Sequence, residues 1–341
     1  MKAVKKLTAL AVALGVALSA AACSNGSSSQ AQPSASASSS ASAASQTPTD
    51  EAKPEVVLST EGMPTVTKDK SGNPVLSFPP GSTPPAGLHV GLITKGDGAT
   101  VGSSDSVLVN YVGQVWGKPD PFDSSYSRSG AAFFPLEQMI KGWIYGFPGR
   151  HVGDTFTISI PPELGYGSAG QEQAGIGGKD TIVFYVELLG TYSAQSAGDA
   201  HAQLTHESVP VSVTGELGKP VTKIDIKQSE EPTSISATIL ARGSGKSIKD
   251  GSNVIVAYAV QSWDGSVFSS TWQGEPAASI PAGPQQVNVT SDPQNFTSAL
   301  IGVPQGSRVL LLVPKSDGDT KTQQQATPAL AYVVDVLAVM D

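Results

Sequence analysis

The feature that most constrains the fold of this chain is an internal repeat with a spacing of 147 residues. The matched pairs are TKGDG at 94–98 with ARGSG at 241–245, VLVNY at 107–111 with VIVAY at 254–258, and Gln114 and Trp116 with Gln261 and Trp263. A repeat this long predicts two globular domains in tandem rather than a solenoid of short units.

Within each copy the hydrophobic pattern is that of β-strands. Val107, Val109 and Tyr111 alternate with other side chains, which is the period of a half-buried strand. A short helix is predicted from about Lys141 to Phe147, between two prolines. We therefore expect an α+β fold in which an antiparallel β-sheet packs on one short α-helix, in two tandem copies.

The N-terminus has the pattern of a secretory signal. A basic head precedes the apolar run 7–18, and three alanines follow at 20–22, so residues 1–22 are predicted to be a signal peptide. Cys23, the only cysteine in the chain, comes next. The arrangement resembles the lipobox of bacterial lipoproteins, although Leu is commoner than Ala20 at its position. This resemblance implies lipidation of Cys23 and an extracytoplasmic protein anchored to the cell membrane. An ordinary secretion signal is the alternative.

The segment after Cys23 is predicted to be a tether. Eleven serines and six alanines occupy residues 24–49, and such a composition buries too little apolar surface to fold. The predicted domain order is a signal peptide at 1–22, a lipid-anchored disordered tether at 23–54, a first domain at 55–192, a linker at 193–205 and a second domain at 206–341.

Charge and composition limit the partners. The formal net charge is −8 and no Lys/Arg cluster is present, which argues against nucleic acid as a ligand. A single cysteine provides no disulfide, and the four histidines are not spaced as metal ligands. We expect no metal, no cofactor and a monomeric protein.

Aromatic residues are concentrated in one part of the first copy. The window from Tyr111 to Tyr185 contains thirteen of the 21 aromatic residues of the chain, together with an acid, Asp123, directly beside Phe122. An apolar concavity with a few polar groups is the usual form of a binding site. A well-packed core would have the same composition, and both interpretations remain open at this point.

The order of motifs in this window resembles a known family. The motifs are YVG at 111–113, FDSSY at 122–126, FPL at 134–136, IKGW at 140–143, VGD at 152–154, IPPELGYG at 160–167 and VFYVELL at 183–189. Together, over roughly residues 79–191, they resemble FKBP-type peptidyl-prolyl cis-trans isomerases. The resemblance implies a curved antiparallel β-sheet that wraps a short α-helix.

The resemblance also implies the site residues. Asp123, Trp143 and Tyr166 are the candidate catalytic residues. The candidate substrate-binding residues are Tyr111, Phe122, Phe134, Met139, Ile140, Ile176 and Phe184. In these roles Trp143 forms the floor under the proline ring, and the Tyr166 hydroxyl and Ile140 backbone N–H donate to the substrate. For Tyr111 and Phe184, plain core packing remains an alternative.

Two departures from the family pattern affect these assignments. Ala132 occupies a position at which many members have an aromatic wall, and Phe133 or Phe134 could replace that wall through a register shift. The second copy has Ser269 in place of Asp123 and Phe296 in place of Trp143. We therefore expect the second copy to keep the fold and to lack the site.

The function predicted from these observations is isomerisation of X-Pro bonds in extracytoplasmic proteins, assisting their folding at the membrane surface. The expected partners are proline-containing polypeptides and, through the lipid anchor, the membrane. The alternative is a non-catalytic FKBP-like chaperone or peptide-binding module.

Overall fold

The computed structural model describes residues 53–128, 130–205, 207–227, 230–274, 280–317 and 326–340. The chain divides into a unit Met1–Lys53 and a compact unit Pro54–Asp341. The predicted signal peptide, Cys23 and almost all of the predicted tether lie outside the described residues. Among the described residues, no helix combines the length and the apolar character needed to cross a bilayer.

The first half of the compact unit is built on one β-sheet. Its elements are β1 (Val56–Leu58), β2 (Thr65–Lys68), β3 (Pro74–Ser77), β4 (Leu88–Thr94), β5 (Ser106–Val115), β6 (Pro121–Ser124), β7 (Ala132–Pro135), α1 (Lys141–Gly146), β8 (Thr155–Ile160) and β9 (Ile182–Tyr192). The strand order is β1-β4-β8-β9-β5-β6, with β7 also paired to β5, and β2 and β3 form a separate hairpin. We call this seven-stranded sheet the first sheet.

The prediction of a wholly antiparallel sheet was wrong at one edge. Strand β1 pairs with β4 in parallel, with Val56 opposite Leu88. Parallel neighbours need a crossover connection rather than a tight turn. The hairpin of β2 and β3, between β1 and β4, is part of that connection.

Both faces of the first sheet are covered, which explains the long apolar run in β5. Val107, Val109 and Tyr111 pack in the core on the helix side. Val112 packs on the opposite side against Leu76 of the β2–β3 hairpin. Strand β5 is therefore buried along nearly its whole length.

Two glycines allow helix α1 to lie directly on the sheet. A Cβ atom on Gly142 would lie 2.5 Å from the side chain of Ile160, and one on Gly146 would lie 2.3 Å from that of Ile158. The helix covers Lys141–Gly146, so the predicted helix is confirmed and ends one residue earlier than expected. The close contact places the buried residue Trp143 over the sheet.

The second half repeats this strand order. Its strands are β10 (Gln203–Leu204), β11 (Val211–Thr214), β12 (Lys223–Ile226), β13 (Ser236–Arg242), β14 (Asn253–Ser262), β15 (Phe268–Ser270), β16 (Gln285–Asn288), β17 (Arg308–Val313) and β18 (Leu330–Met340). The order in this second sheet is β10-β13-β17-β18-β14-β15, with β16 paired to β14 and a separate β11–β12 hairpin.

The helix predicted for the second half takes a different form. In the described residues the segment Phe296–Leu300 is a 3₁₀ helix, not an α-helix. The side chain of Asn295 accepts a hydrogen bond from the backbone N–H of Thr297 and so caps the start of this segment. Gly302, in the left-handed region at a φ of 86°, follows soon after and turns the chain.

The two sheets contact each other through an apolar interface. Leu108, Phe133 and Tyr192 of the first half pack in one cluster with Ile255, Ala338 and Met340 of the second. Leu108 and Ile255 are equivalent in the 147-residue repeat, and each adjoins a shift of strand register typical of a β-bulge.

Residues of the predicted linker are bonded to the second half. The backbone N–H of Gly198 donates to the carboxylate of Asp335 at 2.8 Å, and the indole N–H of Trp272 donates to the carbonyl of Ser196 at 2.8 Å. The predicted boundaries at 192 and 205 stay predictions.

Candidate active site

An aromatic cluster forms where α1 meets the first sheet. It consists of Tyr111, Phe122, Phe134, Trp143 and Phe184. Trp143 is at its centre, with ring-centroid distances of 6.0 Å to Tyr111, 5.5 Å to Phe134 and 5.3 Å to Phe184. All three contacts are edge-to-face, the arrangement that the charge distribution of aromatic rings favours.

Gly113 makes room for two of these rings. A Cβ atom at Gly113 would lie 2.7 Å from the ring of Phe184 and 2.8 Å from that of Phe122. The two rings pack edge-to-face at 5.6 Å. Any side chain at this position of β5 would displace at least one wall of the aromatic cluster.

Phe134 and Ala132 lie on the same face of β7. Strand β7 pairs with β5 so that Phe134 lies opposite Val107 and Ala132 opposite Val109. Ala132 and Phe134 therefore share a face and pack on the same core, whereas Phe133 points to the other side. No register shift is needed, because Phe134 is already on the correct side of the strand.

Tyr166 and Ile176 approach the aromatic cluster from the loop 165–181, which we call the flap. Ile176 is almost fully buried, and Tyr166 is half-buried against the same core. The Tyr166 hydroxyl has no hydrogen-bond partner among the described residues. Burial, and secondarily the negative charge of Asp123, raises the pKa of Tyr166 above its ordinary value, so the hydroxyl keeps its proton.

Asp123 lies at the polar edge of the cluster. Its Oδ2 accepts a hydrogen bond from the Tyr111 hydroxyl at 2.5 Å, and its Oδ1 accepts one from the backbone N–H of Ser124 at 2.9 Å. Burial, together with the hydrogen bond to Asp123, raises the pKa of Tyr111 above its usual range. The carboxylate therefore fixes the orientation of one aromatic wall.

Arg128 completes this edge and was not predicted from the sequence. Its Nη2 lies 2.8 Å from Oδ1 of Asp123, and it also donates to the hydroxyl of Tyr111. The guanidinium carbon lies 5.7 Å from the centre of the Tyr111 ring, a cation–π distance. A sequence signal existed, because Arg128 is the only basic residue between Lys118 and Lys141.

The start of α1 contributes a backbone donor. Ile140 precedes the helix, and its backbone N–H has no acceptor among the described residues. Ile140 and Met139 are half-buried against the same core. The first amides of a helix have no intrahelical partner, so this N–H is free to bond a ligand.

The structure thus brings the ten predicted site residues together, the nine apolar and aromatic ones in one core and Asp123 at its edge. Tyr111 and Phe184 are buried core residues, so core packing alone also accounts for their placement. The roles assigned to the ten remain predictions. Within the described ranges, no group of three His, Cys, Asp or Glu side chains is placed to hold a metal ion.

Comparisons with known proteins identify this region. Residues 98–189 match the family model described as FKBP-type peptidyl-prolyl cis-trans isomerase. A probable FK506-binding protein of Corynebacterium glutamicum is 36% identical over 116 residues, which cover 34% of this chain and 96% of that protein. The FK506-binding protein of Streptomyces anulatus is 35% identical over 118 residues, which cover 34% and 94%.

Among solved structures, the crystal structure of FkpA from Escherichia coli aligns with a TM-score of 0.29 and 34% sequence identity. The alignment covers 38% of this chain and 52% of that one.

Proposed function

The chain belongs to the FKBP-type peptidyl-prolyl cis-trans isomerase family, and from this premise we propose that the aromatic cluster is its catalytic site. Its activity is rotation of the peptide bond that precedes proline. The observation that carries the assignment is the pair of unused donors, Tyr166 and the Ile140 N–H, beside a cluster of aromatic rings.

The chemistry needs no nucleophile. Rotation about a peptide bond has a barrier of about 18–20 kcal/mol because amide resonance must be lost. The twisted amide has less charge separation than the planar one, so an apolar surround favours it over the ground state. Rings that exclude water from the prolyl amide therefore lower the barrier.

Each group has a place in this scheme. The proline ring packs on Trp143, between the walls formed by Tyr111, Phe122 and Phe184. The Tyr166 hydroxyl and the Ile140 N–H donate to substrate carbonyls and fix the chain on either side of the rotating bond. Asp123 and Arg128 hold Tyr111 in orientation at the edge, since both bond its hydroxyl.

We further propose that this isomerase acts outside the cytoplasm, on the membrane surface, and assists the folding of secreted proteins. The support is the signal-like segment 1–22, the lipobox-like position of Cys23 and the Ser/Ala-rich segment that follows. A Cys23→Ser variant is expected to move from the membrane fraction to the soluble extracytoplasmic fraction. An unchanged distribution contradicts the anchor.

We also propose that the second half is a degenerate copy of the first, and that each copy is a curved sheet around its helical segment. The common strand order and the 147-residue spacing support the proposal that the second half is a copy of the first. In this interpretation only the first copy binds and isomerises the substrate, because Asp123 and Trp143 are present there.

The experiment measures cis/trans exchange of a short X-Pro peptide with the full chain. Tyr166→Phe removes one hydroxyl from the flap and is expected to lower kcat/KM by about 2- to 10-fold, the value of one hydrogen bond. Tyr185→Phe is the matched control, because that hydroxyl bonds Glu187 away from the cluster. Exchange no faster than in buffer contradicts catalysis, and an equal loss in both variants contradicts the assignment of the site.

A further inference from the structure

Ile176 lies between exposed neighbours but is itself buried. It is 3% exposed and packs in the core of the first half, whereas Gly175 and Gly177 are exposed. Glycines on both sides impose little restriction on the backbone, and Gly175 adopts a left-handed φ of 67°. Something other than local conformational preference must hold the Ile176 side chain in the aromatic core.

Two charged side chains bond the peptide groups on either side of Ile176. The Nζ of Lys118 donates to the carbonyl of Gly175 at 2.8 Å. The Oδ2 of Asp180 accepts a hydrogen bond from the backbone N–H of Gly177 at 2.9 Å. Lys118 and Asp180 form an ion pair at 3.2 Å, so the three bonds close a ring around the backbone of Ile176.

The ring of hydrogen bonds formed by Lys118 and Asp180 is attached to β5, a strand that contributes to the site. The carbonyl of Lys118 accepts a hydrogen bond from the side chain of Gln114, a buried residue of β5, at 2.5 Å. The backbone N–H of Lys118 donates to the carbonyl of Val115 at 3.0 Å. Strand β5 also carries Tyr111 and Gly113, so the flap is fixed relative to the walls of the cluster.

The flap itself supplies further backbone hydrogen bonds, including those from Gly175 to Glu172 and from Asp180 to Gly177. Gln171 and Ile176 exchange two backbone hydrogen bonds, of 2.8 Å and 3.0 Å. These bonds fix the turn between the two residues but connect it to nothing outside the flap. Of the hydrogen bonds described at Gly175 and Gly177, the one from Lys118 is the one that leaves the flap, and the ion pair joins Asp180 to the same lysine.

We propose that Lys118 and Asp180 are positioning residues of the isomerase, a clamp that holds Ile176 against the bound proline segment. The proposal rests on the assignment of the aromatic cluster as the catalytic site. The clamp acts on binding rather than on bond rotation, because it touches the flap backbone and not the aromatic rings. Loss of the clamp should therefore raise KM and leave kcat nearly unchanged.

The expected size of the effect is small but measurable. The two side chains are 50% and 30% exposed, and exposed ion pairs are screened by water and salt. Lys118→Gln and Asp180→Asn are each expected to raise KM by about 2- to 5-fold, in line with the range for such pairs. Neither substitution alters a core residue, so both variants are expected to fold.

The test is a double-mutant cycle on the full chain with an X-Pro peptide. The double variant should have a KM no higher than the worse single variant, since one clamp is lost in each case. High salt should raise the wild-type KM toward that of the variants and leave theirs unchanged. Lys118→Arg, which keeps the charge, should restore part of the lost binding.

Lys179→Gln is the matched control, because Lys179 is an exposed lysine of the same flap next to Asp180. Additive effects, a fall in kcat at constant KM, or an equal change in Lys179→Gln overturns the proposal. An unchanged KM in both single variants also overturns it. If Tyr166→Phe retains full activity, the site assignment fails instead, so the two failures are distinguishable.

Discussion

The aromatic cluster of the first sheet and the corresponding region of the second sheet have a common backbone frame but different side chains. The backbone N–H of Tyr111 donates to the hydroxyl of Ser125 at 2.9 Å, and that of Tyr258 donates to the hydroxyl of Thr271 at 2.9 Å. The frame therefore forms whether or not Asp123 and Trp143 are present. The residues that it does not require are two of those proposed for the isomerase site.

The clearest difference is at one position of the central strand. Gly113 of the first sheet corresponds to Val260 of the second, which is buried in the second core. In the first sheet Phe122 packs beside Gly113 in the aromatic cluster. In the second, the corresponding Phe268 packs in a different apolar cluster. The glycine thus leaves room for Phe122, which is the unpaired residue at a register shift between β5 and β6, whereas β14 and β15 pair without such a shift.

Ring geometry differs as well. Phe296 stacks in parallel on Tyr332, with an interplanar angle of 9° and a centroid distance of 5.6 Å. Trp143, its counterpart in the repeat, packs at 85° to Phe184. This one pair of rings is therefore edge-to-face in the first half and stacked in the second, although the strands beneath are ordered alike.

Among substitutions that place a residue of the second half at the matching position of the first, Gly113→Val is expected to have the largest effect. The new Cβ meets Phe122 and Phe184, and displacing site groups by about 1 Å lowers kcat/KM by about 100-fold. Overpacking should also lower the free energy of unfolding by about 1–3 kcal/mol. Peptide isomerisation and denaturant unfolding measure the two effects.

Val260→Gly is the reciprocal variant and should leave isomerisation unchanged while it destabilises the second half. Gly113→Ala should give an intermediate loss of activity. If Gly113→Val keeps full activity, the glycine is not what separates the two halves.

Asp123→Ser places the residue of the second half in the first and should have a smaller effect. The Tyr111 hydroxyl and Arg128 lose their acceptor, so the Tyr111 ring is held less firmly. Because misplacing a site group by about 1 Å costs about 100-fold, this partial loss of positioning is expected to lower kcat/KM about tenfold. Stability should change by less than about 1 kcal/mol, since the ion pair is half-exposed. Asp120→Ser, at an exposed acid of the preceding turn, is the control.

Met340→Asp tests whether the two halves are independent, and its effect on activity should be the smallest. A carboxylate in the apolar interface is expected to lower the free energy of unfolding by about 1–3 kcal/mol, while kcat/KM changes less than about twofold. Leu204→Asp, at a leucine that is 66% exposed, is the control. Equal stability of the two variants would mean that the interface contributes nothing.

The sequence predicted the features that depend on local pattern. Alternation in β5 and the prolines around α1 placed the strand and the helix, and the motif series named ten candidate residues that the structure places together. The parallel edge strand β1 was missed because three residues carry no directional signal. Arg128 was missed because only the turn after β6 brings it back to Asp123.

The interface was also invisible in the sequence, for a different reason. Leu108 and Val112 are equally apolar and lie on the same strand, yet one contacts the second half and the other contacts the β2–β3 hairpin. The composition of a strand cannot show which partner buries each of its apolar residues. The 3₁₀ form of Phe296–Leu300 likewise has no signal in the hydrophobic spacing.

The packing of Leu108 near Ile255 has a consequence for the protein at low concentration. Two separate chains joined by such a patch would dissociate on dilution. Here both surfaces belong to one polypeptide, and short connections maintain effective concentrations on the order of millimolar. The isomerase half thus keeps its apolar neighbour at any expression level, so the patch around Phe133 and Tyr192 stays covered without a second molecule.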